Sequence, residues 1–166
     1  MTKASPFRKW LKRRFDAIEN NSLKKNILNT IPFWAGAFIT GLVSVLYTRL
    51  FNLAESGNAY LYKHTGWGLL IITPVCFLIS WWLVKRFAPF SRGSGIPQVS
   101  AAIELANPGS NDKVNLLLSL RIIFIKISSS LVMIFGGGII GREGPTIQIA
   151  ASIFKKINDL LPAWYP

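Results

Sequence analysis

The sequence predicts an all-α membrane protein, and three observations carry that reading. Hydrophobic residues make up 51% of the 166 residues and charged ones only 16%, where a soluble domain is about a quarter charged. Mean hydropathy is +0.37. Uncharged runs of about 20 residues recur, the length that crosses a ~30 Å hydrocarbon core as helix.

The charge balance fits the same class. There are 19 Lys+Arg against 7 Asp+Glu, a formal charge of +12, but eight of the basic residues precede Ile27. A basic segment ahead of a first apolar run marks a cytoplasmic N-terminus, and the apolar runs leave little surface for a nucleic acid. Cys76 and His64 are single, so neither an intrachain disulfide nor a Cys/His metal cluster can form. Cys76 reads as a packing residue and His64 as a loop residue. Nothing resembles a soluble catalytic domain: the chain is not an enzyme and no cofactor is implied.

Taken in order, residues 5–19 read as a basic amphipathic helix. Phe7, Trp10, Leu11, Phe15 and Ile18 recur at helical spacing, with Arg8, Lys9, Lys12, Arg13 and Arg14 around them. The sequence divides into a cytoplasmic basic portion, 1–25, and a membrane portion, 26–166. Residues 26–48 carry no charge and form a first, uncleaved span. Residues 55–65, with Gly57 and Asn58, read as a loop. Residues 65–84 form a second uncharged span, with Trp67, Trp81 and Trp82 near its ends and Pro74 inside. Lys85, Arg86 and Arg92 follow it, so both ends of this hairpin lie in the cytoplasm. A third stretch, 114–135, contains Arg121 and Lys126. These basic side chains either face protein and water or snorkel to the interface. Ser128, Ser129 and Ser130 favour close helix packing.

Two segments are too short to span. Gly93-Ser94-Gly95-Ile96-Pro97 opens an apolar stretch that stops at Asn107-Pro108-Gly109, and Gly141-Arg142-Glu143-Gly144-Pro145 opens one that stops at Lys155-Lys156. Each apolar part covers about ten residues, ~15 Å of helix, half the hydrocarbon core. Proline suits the first helical position, whose N–H has no intrahelical partner. Each helix then presents a free N-terminus carrying about half a positive charge. Two such ends at membrane depth can replace the hydration shell of a small anion. The Ser94 hydroxyl can donate to that anion. Glu143 is itself an anion that can occupy the site and, once protonated, vacate it. The plainer alternatives are a turn serine and a helix-capping carboxylate paired with Arg142. Gly136, Gly138 and Gly141 also match G-x-G-x-x-G, but no strand or βαβ unit surrounds them, which excludes a dinucleotide fingerprint.

These two motifs, the Gly136-Gly137-Gly138 run and the distance of Lys126 upstream of Glu143 resemble the CLC chloride channel and chloride/proton exchanger family. The resemblance extends over 30–161. It implies transmembrane and half-spanning helices from the first inverted repeat of a CLC-type chloride channel, truncated before the second. It implies transport of chloride, and of protons in an exchanger, across the lipid bilayer, with a homodimer in the full-length form. Ser94, Gly95 and Ile96 match one part of the chloride-binding shell, and Gly144, Pro145 and Thr146 another. Glu143 matches the gating and proton-transfer glutamate, while Arg142 and Lys126 match its electrostatic support. Serine at position 94 is similar to chloride-selecting members. The Gly-x-Phe-x-Pro half-helix, the later tyrosine and the inner proton glutamate of the family are not matched in these residues. The isolated 166-residue polypeptide is therefore expected to conduct no selective chloride current. The alternative expectation is a non-conducting accessory or structural subunit. A multi-pass protein of a bacterial inner membrane is the expected setting.

Overall fold

The computed structural model describes residues 21–106 and 111–161. The basic segment 5–19 lies outside the described residues, as does most of the 1–25 portion. All regular elements described are helical: α1 (Asn21–Thr65), α2 (Leu69–Phe87), α3 (Ile96–Glu104), α4 (Asn111–Leu117), α5 (Leu120–Phe135) and α6 (Glu143–Leu160). Short 3-10 turns at Gly66–Gly68 and Pro89–Ser91 precede α2 and follow it. Two stretches, Thr30–Phe87 and Asp112–Phe135, are long and apolar enough to cross a membrane.

Three boundaries differ from the sequence reading. First, α1 continues through residues 55–65 and reaches 45 residues, ~67 Å of helix. Gly57 is a contact point rather than a turn: a Cβ there would lie 3.0 Å from the Phe135 ring. The next residue, Asn58, donates through Nδ2 to the Phe135 carbonyl at 2.9 Å, which satisfies an end carbonyl of α5. Tertiary packing thus holds helical a segment whose Ser-Gly-Asn run favours a turn. Second, the stretch 114–135 is not one helix. It breaks at Leu118–Ser119, where Ser119 is extended (φ −149°, ψ 163°), and the Leu117 carbonyl accepts a side-chain hydrogen bond from α6. Third, the motif at Gly141–Pro145 does not open a half-length helix. α6 has 18 residues, ~27 Å, and runs through Lys155 and Lys156. Two lysines end the apolar run but are good helix formers, and Lys155 pairs with Asp159 one turn on. Only α3, with 9 residues, has the expected short length.

Three apolar clusters hold the helices. Tyr47, Phe51 and Ile134 join α1 to α5. Ala102, Val114 and Leu118 join α3 to α4, with Ala151 of α6 against them. Ile123, Ile149 and Ile153 join α5 to α6, with Val43 of α1 alongside. Small residues set the crossing distances. A Cβ on Gly36 would lie 2.5 Å from the Phe154 ring, and one on Gly136 would lie 2.5 Å from the Cys76 Cβ. Buried Cys76 is therefore a packing residue. Ser129 and Ser130 are buried and Ser128 is exposed. Ser80 Oγ donates to the Ser129 carbonyl at 2.9 Å, and Tyr47 Oη donates to Ser130 Oγ at 3.1 Å. Phe33, Trp34, Phe38 and Leu42 on α1, with Leu70 and Ile71 on α2, are exposed. Helices apolar on their outer face suit lipid or further protein rather than water.

Candidate functional site

The two motifs meet in space. Gly95 precedes α3 with φ +98°, a left-handed conformation that glycine adopts without a steric cost. A Cβ at Gly95 would fall 2.7 Å from the Gln148 Cβ and 3.2 Å from the Gly144 carbonyl oxygen. A Cβ at Gly144 would fall 2.6 Å from the Ser94 carbonyl oxygen and 2.9 Å from the Ser94 Cβ. The first turn of α6 therefore lies directly against the loop that starts α3, and both contact points have to be glycine. Two helix N-termini, each with donors unused by the helix and a positive dipole end, are brought side by side.

The individual residues are placed as follows. Ser94 is exposed, and its Oγ accepts from the Ile96 N–H at 3.4 Å, which leaves its O–H free to donate outward. Pro97 is the second residue of α3 and Pro145 the third of α6, so neither is the first helical residue. Both still lie where an N–H is not needed. Glu143 is the exposed first residue of α6 and makes no ion pair among the described residues. Pairing with Arg142 is not what the structure contains: Arg142 donates to Asn52 Oδ1 at 3.3 Å and lies 5.0 Å from the Phe51 ring centre, both on α1. Thr146 spends both donors inside its helix, since its N–H (3.2 Å) and its Oγ1 (2.7 Å) both reach the Arg142 carbonyl.

Lys126 and Arg121 part company. Arg121 is exposed, whereas Lys126 is 3% exposed. The Lys126 ammonium donates to the Ser91 carbonyl at 2.9 Å and to the Gly93 carbonyl at 2.5 Å. It belongs to a larger arrangement. Four consecutive carbonyls, of Phe90, Ser91, Arg92 and Gly93, each accept from a side chain: Gln148, Lys126, Gln98 and Lys126 respectively. The donors come from α3, α5 and α6, so three helices hold the run that delivers Ser94. Carbonyl oxygens tied up by a cation and two amides add less negative potential beside the helix ends. A cavity of about 580 Å³ between α2 and α5 touches Ser91, Gly93, Lys126 and Pro145. Ser94 and Glu143 do not line it.

Lys126→Met removes two of these donors at one stroke. The carbonyl of buried Ser91 then lacks a partner, at about 1–3 kcal/mol, and the more exposed Gly93 carbonyl loses a charged donor, offset in part because a charge is no longer buried. The expected result is a net loss of about 2 kcal/mol, read as a lower melting temperature in detergent. An unchanged melting temperature contradicts the arrangement.

Sequence reasoning passed over Gln148. Its signal was a lone glutamine between Ile147 and Ile149 on the amphipathic helix that starts at Glu143. Among the described residues no group of His, Cys, Asp and Glu is arranged to hold a metal ion.

Comparison with known proteins gives a family match across both motifs. The family described as voltage gated chloride channel matches residues 76–164, more than half of the chain and inclusive of both motifs. The H(+)/Cl(-) exchange transporter ClcA of Citrobacter koseri is 27% identical over 129 residues, covering 74% of this chain and 26% of that protein. The H(+)/Cl(-) exchange transporter ClcA of Salmonella schwarzengrund is 26% identical over 157 residues, covering 89% of this chain and 32% of that protein. The protein of that name from Salmonella agona matches at the same identity and coverage. The chain thus spans about a quarter to a third of the length of these curated relatives. No solved structure matches it. With its described elements all helical, two long apolar stretches, two abutting glycine-flanked helix starts and a family match across both, the chain belongs to the voltage gated chloride channel family, membrane transport proteins rather than enzymes.

Proposed function

We propose that this chain carries the first part of a chloride pathway, within the first inverted repeat of a CLC-type channel or exchanger. In this reading Ser94 Oγ and the amides around Gly95 and Ile96 contact the anion from α3. The start of α6, at Gly144, Pro145 and Thr146, faces it from the other side, with the Gly144 amide as the available donor, since Pro145 has no N–H and Thr146 spends both donors on the Arg142 carbonyl. Glu143 competes with chloride for the site and, in exchange, carries the proton. Arg142 shapes the local potential, and Lys126 acts through the loop that bears Ser94. The basic 1–25 portion stays on the cytoplasmic side and 26–166 lies in the membrane of a bacterial cell. The active form is a homodimer with one pathway per subunit.

The observation that supports the reading best is the close approach of Gly95 and Gly144, each too tight for a Cβ. It sets two positive helix ends together, which favours a small anion held by partial charges weakly enough to leave. The relatives are named H(+)/Cl(-) exchange transporters, which points to the same chemistry.

The test is anion flux from liposomes holding the native protein that carries this sequence. Wild type releases chloride. Ser94→Pro removes the hydroxyl donor and shifts preference from chloride toward nitrate by about tenfold, the worth of one hydrogen bond to a charged partner. Unchanged selectivity in Ser94→Pro sinks the role of Ser94, and no chloride release from wild type sinks the reading as a whole.

A further inference from the structure

Gln148 is among the most deeply buried side chains described, at 0% exposure. A primary amide inside a protein has four hydrogen-bonding positions to satisfy, and an unpaired one is costly. Gln148 places its two N–H groups on two separate segments. Nε2 donates to the Phe90 carbonyl at 3.2 Å and to the Leu117 carbonyl at 3.3 Å. Phe90 lies in the 3-10 turn that leads to Ser94, and Leu117 ends α4 at the break before α5. Its Oε1 has no hydrogen-bond partner. That oxygen lies 2.9 Å from where a Gly95 Cβ would stand, and its own Cβ lies 2.7 Å from the same point. One side chain on α6 therefore touches the turn before Ser94, the glycine after Ser94 and the broken helix beneath them.

We infer that Gln148 is the positioning residue that sets the Ser94 loop against the helix bearing Glu143. The inference rests on the chloride-pathway reading above and adds to it a residue that need not contact the anion. Lys126 holds the loop from α5, through the Ser91 and Gly93 carbonyls. Among the described residues Gln148 is the hydrogen-bonded tie between α6 and the loop, so it fixes the separation of the two helix starts. The break at Leu118–Ser119 acquires a purpose. A continuous helix would use the Leu117 carbonyl within itself, whereas the extended Ser119 leaves it open to the Gln148 amide.

Three variants of the native protein, purified and reconstituted, test this. Gln148→Leu keeps the bulk and removes both donors. Gln148→Glu keeps an oxygen but turns an acceptor toward two carbonyls. Ser152→Ala alters another fully buried polar side chain one turn further along the same helix, one that makes no hydrogen bond. Two readouts are taken. The chloride concentration for half-maximal flux is expected to rise about tenfold in Gln148→Leu and further in Gln148→Glu, with maximal turnover changed much less. Hydrogen exchange of the amides at 92–98 is expected to quicken in both and to stay at the wild-type rate in Ser152→Ala. Unchanged half-saturation and unchanged exchange in Gln148→Leu overturn the inference. An equal rise in Ser152→Ala overturns it too, because general loosening of α6 would then suffice. If wild type moves no chloride, the pathway reading fails, while the exchange rates at 92–98 still decide whether Gln148 holds the loop.

Discussion

Glu143→Gln is expected to abolish proton movement coupled to chloride while chloride flux persists. Glutamine has the size of a protonated glutamate, so it mimics the open gate. It cannot ionise, so it neither competes with chloride as an anion nor carries a proton. The position favours this behaviour. Glu143 is the exposed first residue of α6, makes no ion pair among the described residues, and stands at the positive end of an 18-residue helix. A carboxylate there is stabilised by about 0.3–1 kcal/mol through the helix dipole, too little to lock it against exchange with an anion. The measurement is simultaneous recording of chloride release and pH in liposomes. Proton uptake driven by a chloride gradient at the wild-type rate in Glu143→Gln removes the assigned role.

The second large effect is expected at Gly144. Valine there places its Cβ 2.6 Å from the Ser94 carbonyl oxygen and 3.1 Å from the Ser94 carbonyl carbon. These are backbone atoms of a loop whose preceding carbonyls are already held by Lys126, Gln98 and Gln148, so the loop cannot give way by rotating a side chain. The start of α6 must move off it, by about 1 Å to restore ordinary contact. A displacement of that size at a site built for one small ion is expected to lower chloride turnover about a hundredfold. Gly41→Ala in α1, where nothing lies within 4 Å of the added carbon, serves as the control and leaves flux unchanged. Wild-type chloride flux in Gly144→Val would mean that the abutment of the two helix starts does not matter for transport.

Much of the candidate site was legible before any coordinates, because its chemistry is local in sequence. Gly93-Ser94-Gly95-Ile96-Pro97 and Gly141-Arg142-Glu143-Gly144-Pro145 each announce a flexible approach, a polar side chain and a helix start within five residues. The helical class followed from the low charge fraction and the uncharged runs. Helix ends were harder. The Ser-Gly-Asn run in α1 carries turn composition, yet Gly57 and Asn58 serve contacts to Phe135, distant in sequence, and the helix persists. Lys155 and Lys156 stop the apolar pattern but not the backbone hydrogen bonds. Hydropathy reads the solvent preference of side chains, and a helix can outlast its apolar face.

Partnership across the chain was not legible at all. Lys126 stood out as a cation in an apolar stretch, and sequence alone left open whether it faced protein or the interface. Its hydrogen bonds to residues 35 and 33 positions away settle that. Gln148 carries no charge and fits no motif, yet it joins Phe90 and Leu117, 58 and 31 positions away. The sequence by itself determined the membrane class, the two helix starts and the side chains offered there, since those depend on composition and on neighbours along the chain. Only the tertiary structure decided that the two starts touch, that four carbonyls before Ser94 are all occupied, and that α4 and α5 are separate helices. Apart from the local Gln98–Arg92 hydrogen bond, those outcomes rest on hydrogen bonds and steric contacts between residues far apart in sequence, and such pairings exist only once the helices have packed.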